Sequence, residues 1–248
     1  MSKALIFGRD AELAQLNQLL AQHVSFLLHG PAGVGKSFLI RHLAGEQPAL
    51  LYCPDSASGQ TVFRSTAVGL LARKNPRLVS ACRSSGVNAI KEKSAVSLRG
   101  FVTEALRGGT HTLVLDHIQS PSRSFASAVK DLCTATDTVV VAVARSAHME
   151  DAGFLLPMFA DRSQKYALRN FDSSTANTFA AQAAQKMQLD VANREDVISK
   201  IVLYSKGNPG AILAMLKMAS NPKYVAQRHV KLSPLYIDFR LSAGVTHG

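Results

Sequence analysis

Between Ser25 and Ala44 the chain reads SFLLHGPAGVGKSFLIRHLA, and no other stretch constrains the fold as strongly. An apolar run of strand length, Ser25 to Leu28, leads into Gly30-Pro31-Ala32-Gly33-Val34-Gly35-Lys36-Ser37, and a helical pattern of Phe38, Leu39, Ile40 and Leu43 follows. Strand, loop and helix in that order fit G-x-x-x-x-G-K-[ST] completely. Glycines let the backbone wrap an anion with its N–H groups, and the helix that follows aims its positive end at the same place. In this reading Lys36 reaches the β- and γ-phosphates of a nucleotide, and the Ser37 hydroxyl ligates Mg2+.

The rest of the chain bounds what can surround such a loop. Its 248 residues, 47% hydrophobic, are enough to bury a core as one large domain, or as a large domain plus a small one. The longest apolar runs, near Leu113 to Leu115 and Val139 to Ala144, are far too short to span a bilayer, and residues 1–20 lack a signal-peptide core. A globular, cytoplasmic protein with no membrane segment is expected. Cys53, Cys82 and Cys133 are widely spaced and form no C-x-x-C pair, so neither a disulfide framework nor a zinc site is expected, and the eight histidines show no metal-ligand spacing. With 28 basic and 17 acidic residues the net charge is +11. That excess suits a polyanionic partner, and it also serves solubility alone.

Upstream of the loop, Phe7-Gly8-Arg9-Asp10 precedes a helical stretch from Ala11 to His23, with Leu13, Leu16, Leu19 and Leu20 on one face and Asp10 placed to cap it. The string FGRDAELAQLNQLL resembles the GR-x-x-E-L-x-x-L opening of AAA+ ATPases in the origin-recognition, STAND and transposition-regulator branches. In those families the segment lies against adenine. The resemblance therefore implies ATP as the bound nucleotide, with Gly8 and Arg9 joining the loop residues and Phe38 as nucleotide contacts.

A second strand is expected from Ala49 to Cys53, then a loop from Pro54 to Gly59. Residues 60–109 read as interrupted helices. Between Arg64 and Gly109 stand nine basic residues (Arg64, Arg73, Lys74, Arg77, Arg83, Lys91, Lys93, Arg99, Arg107) against Glu92 and Glu104, a net of +7. The block fits either a solvated basic face or contact with a phosphate backbone such as DNA. No helix-turn-helix, zinc-finger or RRM signature accompanies it, so any such binding should be weakly sequence-specific.

The strand His111 to Ile118 places Asp116 at the end of an apolar run, where a Walker B aspartate holds the Mg2+ shell. Most ATPases of this type carry Glu or Asp at the next position, to orient or deprotonate the attacking water, and this chain has His117. Imidazole can act as a base near neutral pH but does not supply a carboxylate's charge, so slow turnover is expected. A purely local role for His117 stays open. Thr138 to Ala144 is near-continuous in β-branched residues, as a central parallel strand should be. By resemblance Arg145, which ends it, senses the γ-phosphate, against the alternative of an ordinary surface arginine. A helix from Gly153 to Phe159 and a fifth strand over residues 164–168 follow. Arg162 stands where related ATPases carry the arginine finger that reaches a neighbouring subunit.

From Ser173 the pattern is helical only, in segments 173–188, 193–206 and 209–220, similar to the lid of AAA+ proteins. Gly207-Asn208-Pro209-Gly210 ends one helix and starts the next. It also resembles the G-x-P motif whose proline, here Pro209, lies near adenine. In the basic tail, His229 to Leu241 alternates enough to suggest strands around Pro234. That tail suits an addition to the lid, a docking segment, or half of a winged-helix-like module.

The expected architecture is α/β: a five-stranded parallel P-loop NTPase sheet with helices on both faces in residues 1–170, an all-helical lid in 171–220, and a basic extension in 221–248. The expected function is an ATP- and Mg2+-binding AAA+/STAND-type switch, a slow ATPase that forms nucleotide-dependent homo-oligomers, assembles on DNA and regulates a partner protein. Two other readings stand beside it. One is a signalling or defence switch acting through protein partners alone, and the other is a nucleotide-binding scaffold with negligible hydrolysis.

Overall fold

A computed structural model describes residues 7–82 and 86–245. The chain forms two compact units. Among the described residues, one comprises Ala11–Gly30 and Lys36–Leu168, the other residues 7–10, Pro31–Gly35 and residues 169–245.

The larger unit is a parallel α/β layer structure. Helix α1 (Asp10–Ala21) precedes strand β1 (Phe26–His29), and α2 (Lys36–Glu46) leads to β2 (Leu50–Cys53). Four helices follow: α3 (Gly59–Ala72), α4 (Pro76–Cys82), α5 (Gly86–Glu92) and α6 (Ala95–Leu106). Then come β3 (Thr112–Leu115), α7 (Arg123–Thr136), β4 (Val139–Ala144), the short α8 (Met149–Ala152), and β5 (Lys165–Ala167). All five strands are parallel, in the order β2-β3-β4-β1-β5. The segment Gly153–Phe159, expected to be helical, is a 3-10 helix containing Pro157. A proline removes one backbone donor from the α ladder and clashes with the preceding turn.

Both faces of the sheet are covered, which is why its strands read as unbroken apolar runs. Leu27, Leu51, Leu113, Leu115, Val140 and Ala142 belong to one core, packed with Val62, Leu70, Leu98, Val102, Val129 and Phe159. Residues of the other parity, Phe26, Leu28, Leu50, Val114, Val141 and Val143, are equally buried and turn to the opposite face. α1 enters the interior through Leu16 alone, and α2 through Leu39, Ile40 and Leu43, leaving Phe38 exposed.

The smaller unit has its own apolar core. Its helices α9 (Ser173–Lys186), α10 (Arg194–Ser205) and α11 (Pro209–Ala219) pack through Ala176, Ala180, Ala184, Val197, Ile201, Ile212, Met215 and Leu216. Alanines on α9 let the helices approach closely. The tail differs from the strands expected around Pro234. A two-residue hairpin, β6 (Val225–Ala226) with β7 (His229–Val230), leads into a helix, α12 (Leu232–Val245). The apolar residues Leu232, Leu235, Tyr236 and Phe239 recur at helical spacing, and Pro234 lies in the first turn, where an N–H has no intrahelical partner anyway. Among the described residues no helix is long and apolar enough to cross a membrane.

Candidate functional site

In the larger unit the chemistry gathers at the carboxyl ends of the strands. Gly30 ends β1 and donates its N–H to the Arg145 carbonyl at 3.1 Å, so the entry to the loop is pinned to the end of β4. Asp116 follows β3 and is completely buried. Its N–H bonds Cys53 O at 3.1 Å, and the N–H of Ile118 bonds Val143 O at 3.2 Å, so the turn after β3 is anchored on both sides.

Three donors converge on this carboxylate. Ser37 Oγ donates to Oδ1 at 3.0 Å, the His117 N–H donates to Oδ1 at 2.9 Å, and Tyr52 Oη donates to Oδ2 at 2.6 Å. Burial, followed by the bond to Asp116 and its charge, holds the Tyr52 phenol well above its ordinary range, so Tyr52 stays a donor. Hydrogen bonds of this kind are what a fully buried carboxylate needs in place of water.

Lys36 Nζ donates to Gly30 O at 2.6 Å. Burial pulls its ammonium below the usual lysine value; Asp116 opposes this and Arg145 adds to it. Arg145, whose charge is felt at Lys36, follows β4 with its side chain exposed. Exposed Arg162 opens a 3-10 turn just before β5, at the amino ends of the strands. It is therefore at the edge of the sheet opposite Lys36 and Asp116, and within one chain it does not join them.

Pro31–Gly35 belongs to the smaller unit, and its hydrogen bonds run to other residues of that unit. Arg9 is buried: its Nη2 donates to Val34 O at 3.1 Å and to Arg169 O at 2.8 Å, and its guanidinium lies 4.2 Å from the centre of the Phe171 ring. Asn208, the N-cap of α11, donates through Nδ2 to Ala32 O at 2.9 Å, and the Gly210 N–H donates to Gly33 O at 2.9 Å. Gly33 has φ +77°, and a Cβ there would meet Asn208 Oδ1 at 2.6 Å. Gly8, at φ +65°, would place a Cβ 2.6 Å from Thr175 Cγ2. The opening Gly8-Arg9 and the Asn208-Pro209-Gly210 turn therefore act on the loop as a clasp.

Sequence reasoning missed Tyr52, Asn208 and Gly210. Asn208 was legible as a cap before Pro209, but its second bond, 176 positions away, was not. Tyr52 is a polar residue at the end of an apolar strand, a pattern too common to single it out.

The donor set suits a hard cation: one hydroxyl and one carboxylate are what Mg2+ takes from a protein when nucleotide phosphates complete its shell. Among the described residues no group of three or more His, Cys, Asp or Glu is placed to hold a metal alone.

Much of the basic block is engaged internally. Arg73 donates to Pro48 O, Gly69 O and Leu50 O, Arg77 and Arg107 both pair with Glu104, and Arg99 pairs with Asp131 at 2.9 Å. Arg83 lies outside the described residues.

Residues 5–144 match the profile of the AAA ATPase domain. No curated protein sequence matches the chain. Among solved structures, a Walker-type ATPase of Pyrococcus abyssi superposes with a TM-score of 0.63 at 18% identity, over 97% of this chain and 75% of that one. Cdc6p of Pyrobaculum aerophilum gives 0.56 at 14% identity, over 88% of this chain and 62% of that one. The Orc1 protein of Aeropyrum pernix, solved in complex with DNA, gives 0.59 at 15% identity, over 96% of this chain and 66% of that one. The chain thus spans just under two thirds of the length of the latter two, and at these identities the likeness is one of fold.

Proposed function

Because the chain belongs to the AAA ATPase domain family and is an ATP-binding ATPase of that type, we propose that it works as a nucleotide-operated switch that assembles on DNA and controls a partner protein. The observation that carries the nucleotide part is the 3.0 Å bond between Ser37 and Asp116, which joins the end of the phosphate loop to the strand-end aspartate across 79 positions of sequence. Ser37 and Asp116 would hold Mg2+ there, and the ion would supply positive charge against the charge that develops on the phosphates.

The protein's own groups do the rest. The Lys36 ammonium passes from the Gly30 carbonyl to a phosphate oxygen, so binding exchanges one hydrogen bond for a charge-assisted one. Asp116, fixed by Tyr52, would hold the cation. Arg145 approaches the γ-phosphate from the end of β4. His117 takes the position of the usual carboxylate, so the attacking water has no anionic base beside it and turnover is slow. Arg162 would act in trans on the site of a neighbouring copy, which makes the active form a homo-oligomer. ATP would order these contacts and hydrolysis would release them.

DNA contact rests on the residues of the basic block that have no acidic partner among the described residues, Arg64, Lys74, Lys91 and Lys93. The solved Orc1 likeness, a complex with DNA, lends this reading support. The internal pairing of Arg77, Arg99 and Arg107 favours the second reading, a switch that acts through protein partners alone. Steady-state ATP turnover with and without double-stranded DNA, at low and moderate salt, separates the two. Stimulation that salt abolishes supports assembly on DNA, whereas turnover indifferent to DNA supports the protein-partnered switch.

A further inference from the structure

His117 has φ +55°, in the left-handed region, where histidine is one of the commoner non-glycine residues. Its own N–H is tied to Asp116 Oδ1 at 2.9 Å. The side chain is 64% exposed, so packing does not dictate where it points. The turn nevertheless brings Nε2 to 3.4 Å from Ser37 Oγ and 3.7 Å from Asp116 Oδ2.

Ser37 Oγ and Asp116 Oδ1 are themselves 3.0 Å apart. Two ligands on adjacent vertices of an octahedron, each about 2.1 Å from the metal, stand about 3.0 Å from one another. The hydroxyl and Oδ1 thus have the spacing of two adjacent ligands, and the imidazole Nε2 stands 3.4 Å from the hydroxyl and 3.7 Å from the other carboxylate oxygen, on an exposed side chain free to turn toward the cation that this pair would hold.

We propose that His117 is a nitrogen ligand to the divalent cation held by Ser37 and Asp116, so that the nucleotide site takes a first-row transition ion such as Mn2+ or Co2+ in preference to Mg2+. The chemistry follows from the donor types. Oxygen donors alone suit Mg2+, while an imidazole adds affinity for transition ions and little for Mg2+. An acidic residue at this position would raise affinity for both. The inference deepens the proposed function and rests on the same site.

The test uses the full chain with ADP, so that no turnover is needed. Free Mn2+ is followed by electron paramagnetic resonance during titration of protein and ADP, and Mg2+ is added as competitor. Co2+ with ADP is examined in parallel by its visible absorption, which responds to a nitrogen donor. Wild type is expected to prefer Mn2+ over Mg2+ by at least tenfold more than ADP does alone. His117→Gly, which suits the left-handed backbone and has no donor, should lose that margin and the Co2+ band. His117→Asn, also compatible with that backbone, should shift preference toward Mg2+ through its oxygen. Equal Mn2+ and Mg2+ affinity in wild type, or a preference and Co2+ spectrum unaltered in His117→Gly that still binds ADP, overturns the assignment of His117. Failure of wild type to bind ADP with any cation overturns the nucleotide reading itself, and this inference with it.

Discussion

The phenol of Tyr52 donates a 2.6 Å hydrogen bond to Oδ2 of Asp116, a carboxylate with no exposed surface. The bond commits one oxygen of the metal-shell aspartate to the end of β2, so its other oxygen faces Ser37. Tyr52→Phe leaves that buried oxygen short of a partner, a cost of about 1–3 kcal/mol. A lowered melting temperature is expected, together with a higher Mg2+ requirement for nucleotide binding. Unchanged Mg2+ dependence would leave Tyr52 a purely structural residue.

Arg9 is predicted to act through the loop. Arg9→Ala leaves the carbonyls of Val34 and Arg169 without this donor and removes the cation–π contact with Phe171. A stability loss of about 2–4 kcal/mol is expected in chemical denaturation. At temperatures where the variant is folded, nucleotide affinity should fall about tenfold. Loss of affinity with no loss of stability would instead point to direct contact between Arg9 and nucleotide.

His117→Glu supplies the missing carboxylate, and turnover should rise tenfold or more where proton transfer limits the rate. Single-turnover measurement of phosphate release checks it. An unchanged rate would place the slow step elsewhere.

How much of this was legible in sequence varies with the range of the interaction. Gly30 to Ser37, Asp116 at a strand end and the three helices after Ser173 follow from local pattern, and the structure has each in its expected setting. The tail misled because Val230, Leu232 and Tyr236 stand at even spacing about Pro234, as strand residues would, while Leu232, Leu235, Tyr236 and Phe239 also fit the helical period that the structure has. Long-range bonds such as those from Tyr52 to Asp116 and Asn208 to Ala32 join residues 64 and 176 positions apart, and nothing in the local pattern at either end reports them. The basic block was legible as charge, while its pairing with Glu104 and Asp131 was not, since it depends on how α4, α6 and α7 pack.

In the tail, Asp238 accepts from Lys223 Nζ at 2.6 Å and from Tyr224 Oη at 2.8 Å, tying α12 to the turn before the hairpin. These two bonds, Lys223 first, hold the Asp238 carboxyl below its usual range. A carboxyl lowered in the folded state stabilises above its unfolded value and loses that contribution as pH falls through the folded one. Wild type should therefore lose stability on acidification below about pH 4 more steeply than Asp238→Asn, as followed by thermal melts.

DNA binding, if it uses Arg64, Lys74, Lys91 and Lys93, should show a slope of log affinity against log salt of about −3 to −4, from about −0.9 per phosphate neutralised. The triple variant Lys74→Ala, Lys91→Ala, Lys93→Ala should reduce the slope by about 3. A slope that this variant leaves unaltered would place the contact on another surface.

The central claim is that the loop from Gly30 to Ser37, together with Asp116, binds ATP. Calorimetric titration of ATP with divalent cation into wild type and Lys36→Ala tests it most directly. Saturable binding at one site, lost or weakened at least a hundredfold in a folded Lys36→Ala protein, is the predicted result. Equal affinity in the two proteins would contradict the account.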